Sequence, residues 1–531
     1  MKNLFVYILL PCLLLSGCAD DDFFQKDAQA TPSELAGSTP AGPDSAWVVA
    51  GRQYDRSWFF RLFWGNHNRR LWTTPVLLPV FHMHQVKGGL QLMEQGGGFQ
   101  TLSFHLQDST GRAYALRSID KNPVEVLSPF WRKTMIANLL RDQTSAANPY
   151  GALVVPVLAR AAGVYHTNPA VYYVAPGDTT FGPHAAVAQG KLFLLEERYE
   201  TPKDLTAAFS PAVTTFEDSD DALRLRFTTN SHHFDQVAFA RARLLDLLLG
   251  DWDRHKNQWD WAVVPQQADT LYVPIPKDRD QVFFRMRDGL FPAVATSKLF
   301  ARKFHSFGPS LDDVQAYLIN ASFMDERLLN EVSREQWQQE AKAMQAHLTD
   351  AVIEQAVHRL PHPIYKQIGP QLSSNLKTRR NELVRAANKA YEILAREVTI
   401  PGSDQEELFT VRRLSGNRTE VTVQRKAHGN IPAAVLYHRI FLGTETRQLK
   451  LYGLAGEDEF NIQGKVPSTI PIAVYGGLGE DKITDQSDIP GWKKMTRVYD
   501  TERGNEIQFG TEARDMTTRD VRVHAYDREG N

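Results

Sequence analysis

Phe234 to Leu249 carries apolar residues at Val237, Phe239, Ala240, Leu244, Leu247 and Leu248, the spacing of a buried helix, and Gly250 follows as a natural stop. The chain then runs into Asp251-Trp252-Asp253-Arg254-His255-Lys256-Asn257-Gln258-Trp259, whose polarity is out of proportion to its setting. A loop this short can turn Asp253 and Gln258 toward one centre. Beyond it, Trp259 to Val264 and Thr270 to Ile275 read as a hairpin that delivers Asp278-Arg279-Asp280. Two carboxylates placed there suit a hard cation.

On either side of this cluster the patterning changes. Gly88 to Met93, Phe99 to Leu106 and Ala113 to Ile119 alternate like strands, separated by Gly96-Gly97-Gly98 and by Asp108-Ser109-Thr110-Gly111. The triple glycine would let backbone amides approach phosphates closely. Pro149 to Ala162 reads as a helix closed by Gly163, and Lys191 to Glu197 as a short strand. Met324 to Arg359 and Gln371 to Arg396 are long helical segments joined through Pro361 and Pro363, and from Glu407 the chain turns to short strands with glycine turns. These shifts divide the chain into a β-rich lobe at 49–200, a mainly helical lobe at 201–402 and a small all-β domain at 403–531, an α+β protein.

Asp253-Arg254-His255 with a polar residue at Gln258 resembles the catalytic loop of the atypical kinases, the group that includes HipA-like, phosphoinositide, secretory-pathway and spore-coat kinases. The order of glycine loop, basic strand, helix, hinge strand, buried helix, Asp-Arg-His loop, hairpin and acidic pair also resembles a bilobal kinase, over roughly residues 85 to 300. The resemblance implies a protein-kinase-like fold and magnesium-dependent phosphoryl transfer from ATP to an unknown acceptor. It makes Asp253 the catalytic base, with Arg254 and His255 beside it in the catalytic loop. Gln258 becomes a metal ligand, and Asp280 or Asp278 the main metal carboxylate. Gly96, Gly97 and Gly98 would cradle phosphates, Arg117 or Lys121 would pair with them, and Glu196 would lie in the hinge strand that holds the adenine. Gln258 departs from the pattern, since its neutral oxygen is a weaker magnesium ligand than a carboxylate. An inactive kinase-like scaffold serving as a surface binding module is therefore an alternative. Asp278 and Asp280 also fit the metal-binding pair of a nucleotide-sugar glycosyltransferase.

At the N-terminus, Met1-Lys2-Asn3 precedes an apolar run from Leu4 to Leu15, too short for a permanent membrane span and typical of a signal peptide. Leu15-Ser16-Gly17-Cys18 resembles the lipobox of bacterial lipoproteins. By that resemblance 1–17 is removed and Cys18 carries the lipid, anchoring the protein to a membrane of the bacterial envelope, with the outer membrane expected. Asp20-Asp21-Asp22 resembles acidic export tags, or is a solvated charge run. Residues 18–48 are rich in Ala, Ser, Thr, Pro, Gly and Asp and read as a flexible linker.

The 60 basic and 62 acidic residues leave a net charge of −2, which offers no field for nucleic acid. With Cys12 and Cys18 as the only cysteines, no disulfide can staple the body. His82, His84, His105, His232 and His233 fall in separate elements without zinc spacing. Tyr452 to Asp458 and Gly476 to Asp481 resemble single calcium-binding turns of nonapeptide β-rolls, which would place calcium at Asp458 and Asp481. Two such turns are too few for a stacked roll, so ordinary tight turns in a β domain are the alternative reading.

Overall fold

The computed structural model describes residues 18–530 apart from 21, 36–38, 97–100, 428–431 and 502. Two short strands, β1 (Ser45–Val48) and β2 (Val76–Pro79), pair antiparallel near the start of the body. The segment expected to be a flexible linker lies against them. Gln29 bridges Val48, Ala28 N donates to Gly190 O at 2.7 Å, and Phe23 and Ala28 are buried. Arg52 ties the segment down through Glu34 at 2.8 Å and the carbonyls of Asp27 and Gln29. The average composition of 18–48 hides these few anchors, and they correct the expectation of a free linker.

The first lobe is a five-stranded sheet ordered β3-β4-β5-β7-β6, from β3 (Leu90–Gly96), β4 (Ser103–Asp108), β5 (Ala113–Ser118), β6 (Ala170–Tyr173) and β7 (Leu192–Glu197). Successive strand residues point to opposite faces. Tyr114 and Leu116 of β5, with Phe193 and Leu195 of β7, therefore join one core with Phe104 and Phe181, while Arg117, Leu194 and Glu196 face the other way.

The second lobe holds a sheet ordered β8-β10-β11-β9, from β8 (Thr215–Asp218), β9 (His232–Phe234), β10 (Trp259–Gln266) and β11 (Asp269–Pro276). Between β9 and β10 runs the buried helix Gln236–Leu249. Asp235 caps its first turn, and Gly250 closes it at φ 69°. Fully buried Arg379, on the helix His362–Asn381, donates to the last carbonyls of that helix at Leu247 and Leu248, where a cation is favoured. The helices Ser322–Leu328, Arg334–His347, Asp350–Val357 and Leu383–Leu394 complete the lobe. Among the described residues no helix is long and apolar enough to cross a membrane.

The third unit begins at β12 (Glu397–Pro401), a few residues earlier than the expected boundary at 403. Its strands are β13 (Glu407–Leu414), β14 (Arg418–Arg425), β15 (Ala434–Leu442), β16 (Gln448–Ala455), β17 (Glu459–Lys465), β18 (Ile472–Leu478), β19 (Lys482–Asp488), β20 (Thr496–Tyr499), β21 (Glu506–Gln508) and β22 (Ala513–Asp515). From β16 onward successive strands alternate between two sheets, β12-β16-β18-β20-β22 and β15-β14-β13-β17-β19-β21. Same-sheet neighbours along the coils are parallel, as in β16 with β18 and β17 with β19. This is a two-sheet parallel β-roll with the hairpin β14-β15 inserted after the first coil. Contrary to the expectation from two glycine turns, a roll does form, because further coils stack without the glycine signature. Inward residues such as Phe409, Phe460, Ile462 and Ile483 supply the stacking that a solenoid requires.

Candidate active site

A cavity of about 660 Å³ opens where the two lobes meet. Arg117 and Lys121 line it from the first lobe, and Asp253, His255, Asp278 and Asp280 line it from the second. The hairpin β10-β11 carries the chain from the Asp253 loop to the acidic triplet. Within that triplet, side chains part to opposite sides. Asp278 and Asp280 face the cavity, while Arg279 turns into the protein and pairs with Asp246 and Asp251. Asp278 sits at φ 55°, a left-handed conformation that a side chain rarely adopts without surrounding constraint.

Arg254, expected among the catalytic residues, is fully buried and lines no part of the cavity. It lies 3.4 Å from Asp246, donates at 2.9 Å to the carbonyls of Lys277 and Gln258, and stacks over Trp259. Arg243 joins the cluster through Asp246 and Asp325. Arg254 and Arg279 therefore clamp the Asp253 loop to the acidic triplet, and Arg254 is a positioning residue.

Lys121 Nζ forms an ion pair with Asp280 Oδ2. Burial and the charge of Asp278 push the Asp280 carboxyl up to about 7 against the pull of Lys121. For Asp278, burial also pushes upward, but Arg117, Lys121 and a hydrogen bond from Gln258 prevail and hold it at about 2. Gln258 Nε2 lies 3.4 Å from Asp278 Oδ2, while its Oε1 is buried with no hydrogen-bond partner. An orphaned acceptor beside an ionised carboxylate is a group that a cation would satisfy. No cluster of three or more His, Cys, Asp or Glu assembles for a metal among the described residues. The protein's own offering is two carboxylates and an amide oxygen, a set that a hard cation completes with phosphate oxygens and water.

The phosphate-binding and hinge assignments divide. Gly97 and Gly98 lie outside the described residues. Gly96 ends β3 against the ring of His105, and Thr101 lines the cavity. Glu196, expected in the hinge strand, does not line the cavity. Its backbone pairs with Ala115, and its buried carboxylate takes Arg117 at 3.1 Å and Thr167 at 3.0 Å. Burial raises that carboxyl to about 7 despite Arg117. Leu194, two residues earlier and opposite Arg117, is the β7 side chain that reaches the cavity. Asp142 pairs with Arg56 and Arg69.

Two cavity residues escaped the sequence reading. Asn320 donates to Asp253 Oδ1 at 2.6 Å, and Lys303 lines the cavity. Each comes from an element distant in sequence from the Asp253 loop, and no local motif marks them. At the other candidate cation positions, Asp458 and Asp481 are buried in the β-roll. Asp458 Oδ1 accepts from Glu407 N at 2.8 Å, and Asp481 Oδ1 from Asp458 N at 2.9 Å. Each carboxylate caps the backbone of the preceding coil.

No protein-family model and no curated protein matches the chain. Among solved structures, it is similar to the Helicobacter pylori proinflammatory kinase CtkA, at 11% identity and a TM-score of 0.27 over 55% of this chain and 94% of that one. HipA of the Shewanella oneidensis MR-1 toxin–antitoxin system, in complex with HipB and operator DNA, gives 10% and 0.23 over 60% and 75%. The golgi casein kinase gives 11% and 0.25 over 57% and 71%. With all three TM-scores below 0.5, the functional reading rests on the geometry of this chain's own cleft.

Proposed function

We propose that the cleft transfers a phosphoryl group from ATP to a hydroxyl acceptor, with magnesium bound at Asp278 and Asp280. The observation that carries this reading is the convergence of Asp253, Asp278, Asp280, Lys121 and Arg117 on one cavity, with Gln258 Nε2 3.4 Å from Asp278 Oδ2 and its Oε1 buried without a hydrogen-bond partner. Magnesium bound by Asp278, Asp280 and Gln258 would supply charge neutralisation at the phosphates. Arg117 and Lys121 add fixed positive charge on the first-lobe side of the cavity. Asp253, held by Asn320, orients the acceptor hydroxyl and takes its proton as the new O–P bond forms. The bond to the bridging oxygen breaks, and ADP leaves. Cys18, exposed at the start of the described chain, is the attachment point for the lipid that anchors the protein to the envelope.

The test is thermal stabilisation by ATP, GTP and a UDP-sugar, each with and without magnesium, on the wild type and Asp280→Ala. A ligand that binds only the native state raises the midpoint by mass action. Magnesium-dependent stabilisation by ATP that is lost in Asp280→Ala supports the reading. A response to the sugar nucleotide alone would favour glycosyl transfer, and no response to any nucleotide would favour a binding module. Either of those results overturns the proposal.

A further inference from the structure

The helix Trp58–Trp64, of sequence Trp-Phe-Phe-Arg-Leu-Phe-Trp, contains no buried residue. Ser57 caps it, Phe60 lies under the guanidinium groups of Arg56 and Arg69, and Phe63 and Trp64 meet Phe291 at ring separations of 5.8 and 5.0 Å. Its partner, the helix Leu290–Ala295, buries only Pro292, and the two approach so closely that a Cβ on Gly289 would strike the backbone of Gly65. Together with the segment that follows, they form a continuous outward face. Trp58 is 70% exposed, Leu62 58%, Leu299 88% and Phe300 70%. An apolar face of this extent on a folded chain marks a contact surface.

The charge around it selects the occupant. Residues 56–70 contain Arg56, Arg61, Arg69 and Arg70 and no acid, and 285–303 contains Arg285, Arg287, Lys298, Arg302 and Lys303 against Asp288 alone. Arg56 and Arg69 are consumed by Asp142, and Arg302 by Asp313. Arg61, Arg70, Arg287 and Lys298 have no carboxylate partner among the described residues, and Arg70, Arg287 and Lys298 are exposed. Tryptophan and phenylalanine rimmed by unpaired cations suit the boundary between acyl chains and anionic headgroups. We infer that this face docks on an anionic lipid bilayer.

The fold fits that placement. Phe23 and Phe60 share the guanidinium of Arg56, so the segment that starts at Cys18 runs beside the helix Trp58–Trp64. A lipid on Cys18 and this face would engage the same membrane. Met286 and Lys303, at the ends of the exposed segment, both line the cavity, so docking brings the mouth of the cleft to the bilayer. The inference stands whether or not the cleft transfers phosphoryl groups.

The test is hydrogen-exchange mass spectrometry and co-sedimentation of the full chain, with vesicles of phosphatidylcholine alone or containing about one-third phosphatidylglycerol. Slower exchange confined to 57–64 and 290–300 on the anionic vesicles is expected. The triple variant Trp58→Ser, Leu62→Ser, Phe291→Ser should lose that protection while its far-UV dichroism matches the wild type. The pair Arg61→Glu, Lys298→Glu should weaken sedimentation with anionic vesicles by about tenfold or more and leave neutral vesicles unaffected. Three results overturn the inference: exchange in these segments unchanged by vesicles, vesicle binding unaltered by the triple variant, or concentration-dependent protection without lipid, which would assign the face to a second copy of the chain.

Discussion

Asn320 Nδ2 donates to Asp253 Oδ1 at 2.6 Å across 67 residues of chain, fixing the rotation of the carboxylate that lines the cleft. If Asp253 takes the acceptor proton, Asn320→Ala should lower kcat about ten- to a hundredfold through misorientation, with little change in the KM for ATP. An Ala variant with unaltered kcat would remove Asp253 from that role.

Asp280 offers a pH signature. Its carboxyl is pushed up to about 7, so near neutrality a bound cation must displace a proton as well as the Lys121 contact. Manganese or magnesium affinity, measured calorimetrically with ATP present, should rise about tenfold per pH unit up to about 7 and level off above. Asp280→Asn should bind more weakly and with a flat profile. A flat profile in the wild type would show that Asp280 is no ligand.

Arg279 links the site to the stability of the second lobe. It is buried against Asp246 and Asp251, and nothing else in the triplet reaches them. Arg279→Met would leave two buried carboxylates undercompensated, a change that costs about 3–5 kcal/mol when a buried pair loses one partner. Urea unfolding of the second lobe should shift accordingly, and a loss of under about 1 kcal/mol would mean that Arg254 and Arg243 suffice.

Arg254 and Arg279 also show where sequence reading stops. The buried helix, its Gly250 stop, the hairpin and the convergence of Asp253 with Asp278 and Asp280 were legible because they follow from local periodicity and short spacings. Arg254 lies next to Asp253 in sequence, but its burial is decided by Asp246, on the preceding helix, and by Trp259. For Glu196, a short apolar strand ending in acids gives no sign that Arg117, on the neighbouring strand, claims its carboxylate. Asn320 and Lys303 arrive from elements with no motif. The β-roll is hidden because its coils are joined by inward apolar residues, and only two of its turns carry the Gly-Glu-Asp signature.

That roll makes the last prediction. Burial holds the Asp458 carboxyl up to about 9, Asp500 to about 7 and Asp481 to about 6, all above the ordinary carboxylate value of 3.8. The native state keeps protons that the unfolded chain releases, so this contribution to stability is complete only below about pH 4 and is lost as pH rises through these values. Between about pH 7 and 9 Asp458 alone still titrates, at roughly 1.4 kcal/mol per unit. The chain already holds a neutral version of the same cap, because Asn505 Oδ1 accepts from Asp481 N at 2.6 Å, one coil beyond the Asp481 to Asp458 contact. Asp458→Asn should keep the hydrogen bond from Glu407 N, stabilise the roll at pH 9 and flatten the decline above pH 7. The stacked rings of Tyr452, Tyr475 and Tyr499, 4.2 and 4.6 Å apart, give the near-ultraviolet dichroism that reports on this domain during urea unfolding. Equal slopes for wild type and Asp458→Asn between pH 7 and 9 would show that Asp458 is already ionised in the native roll.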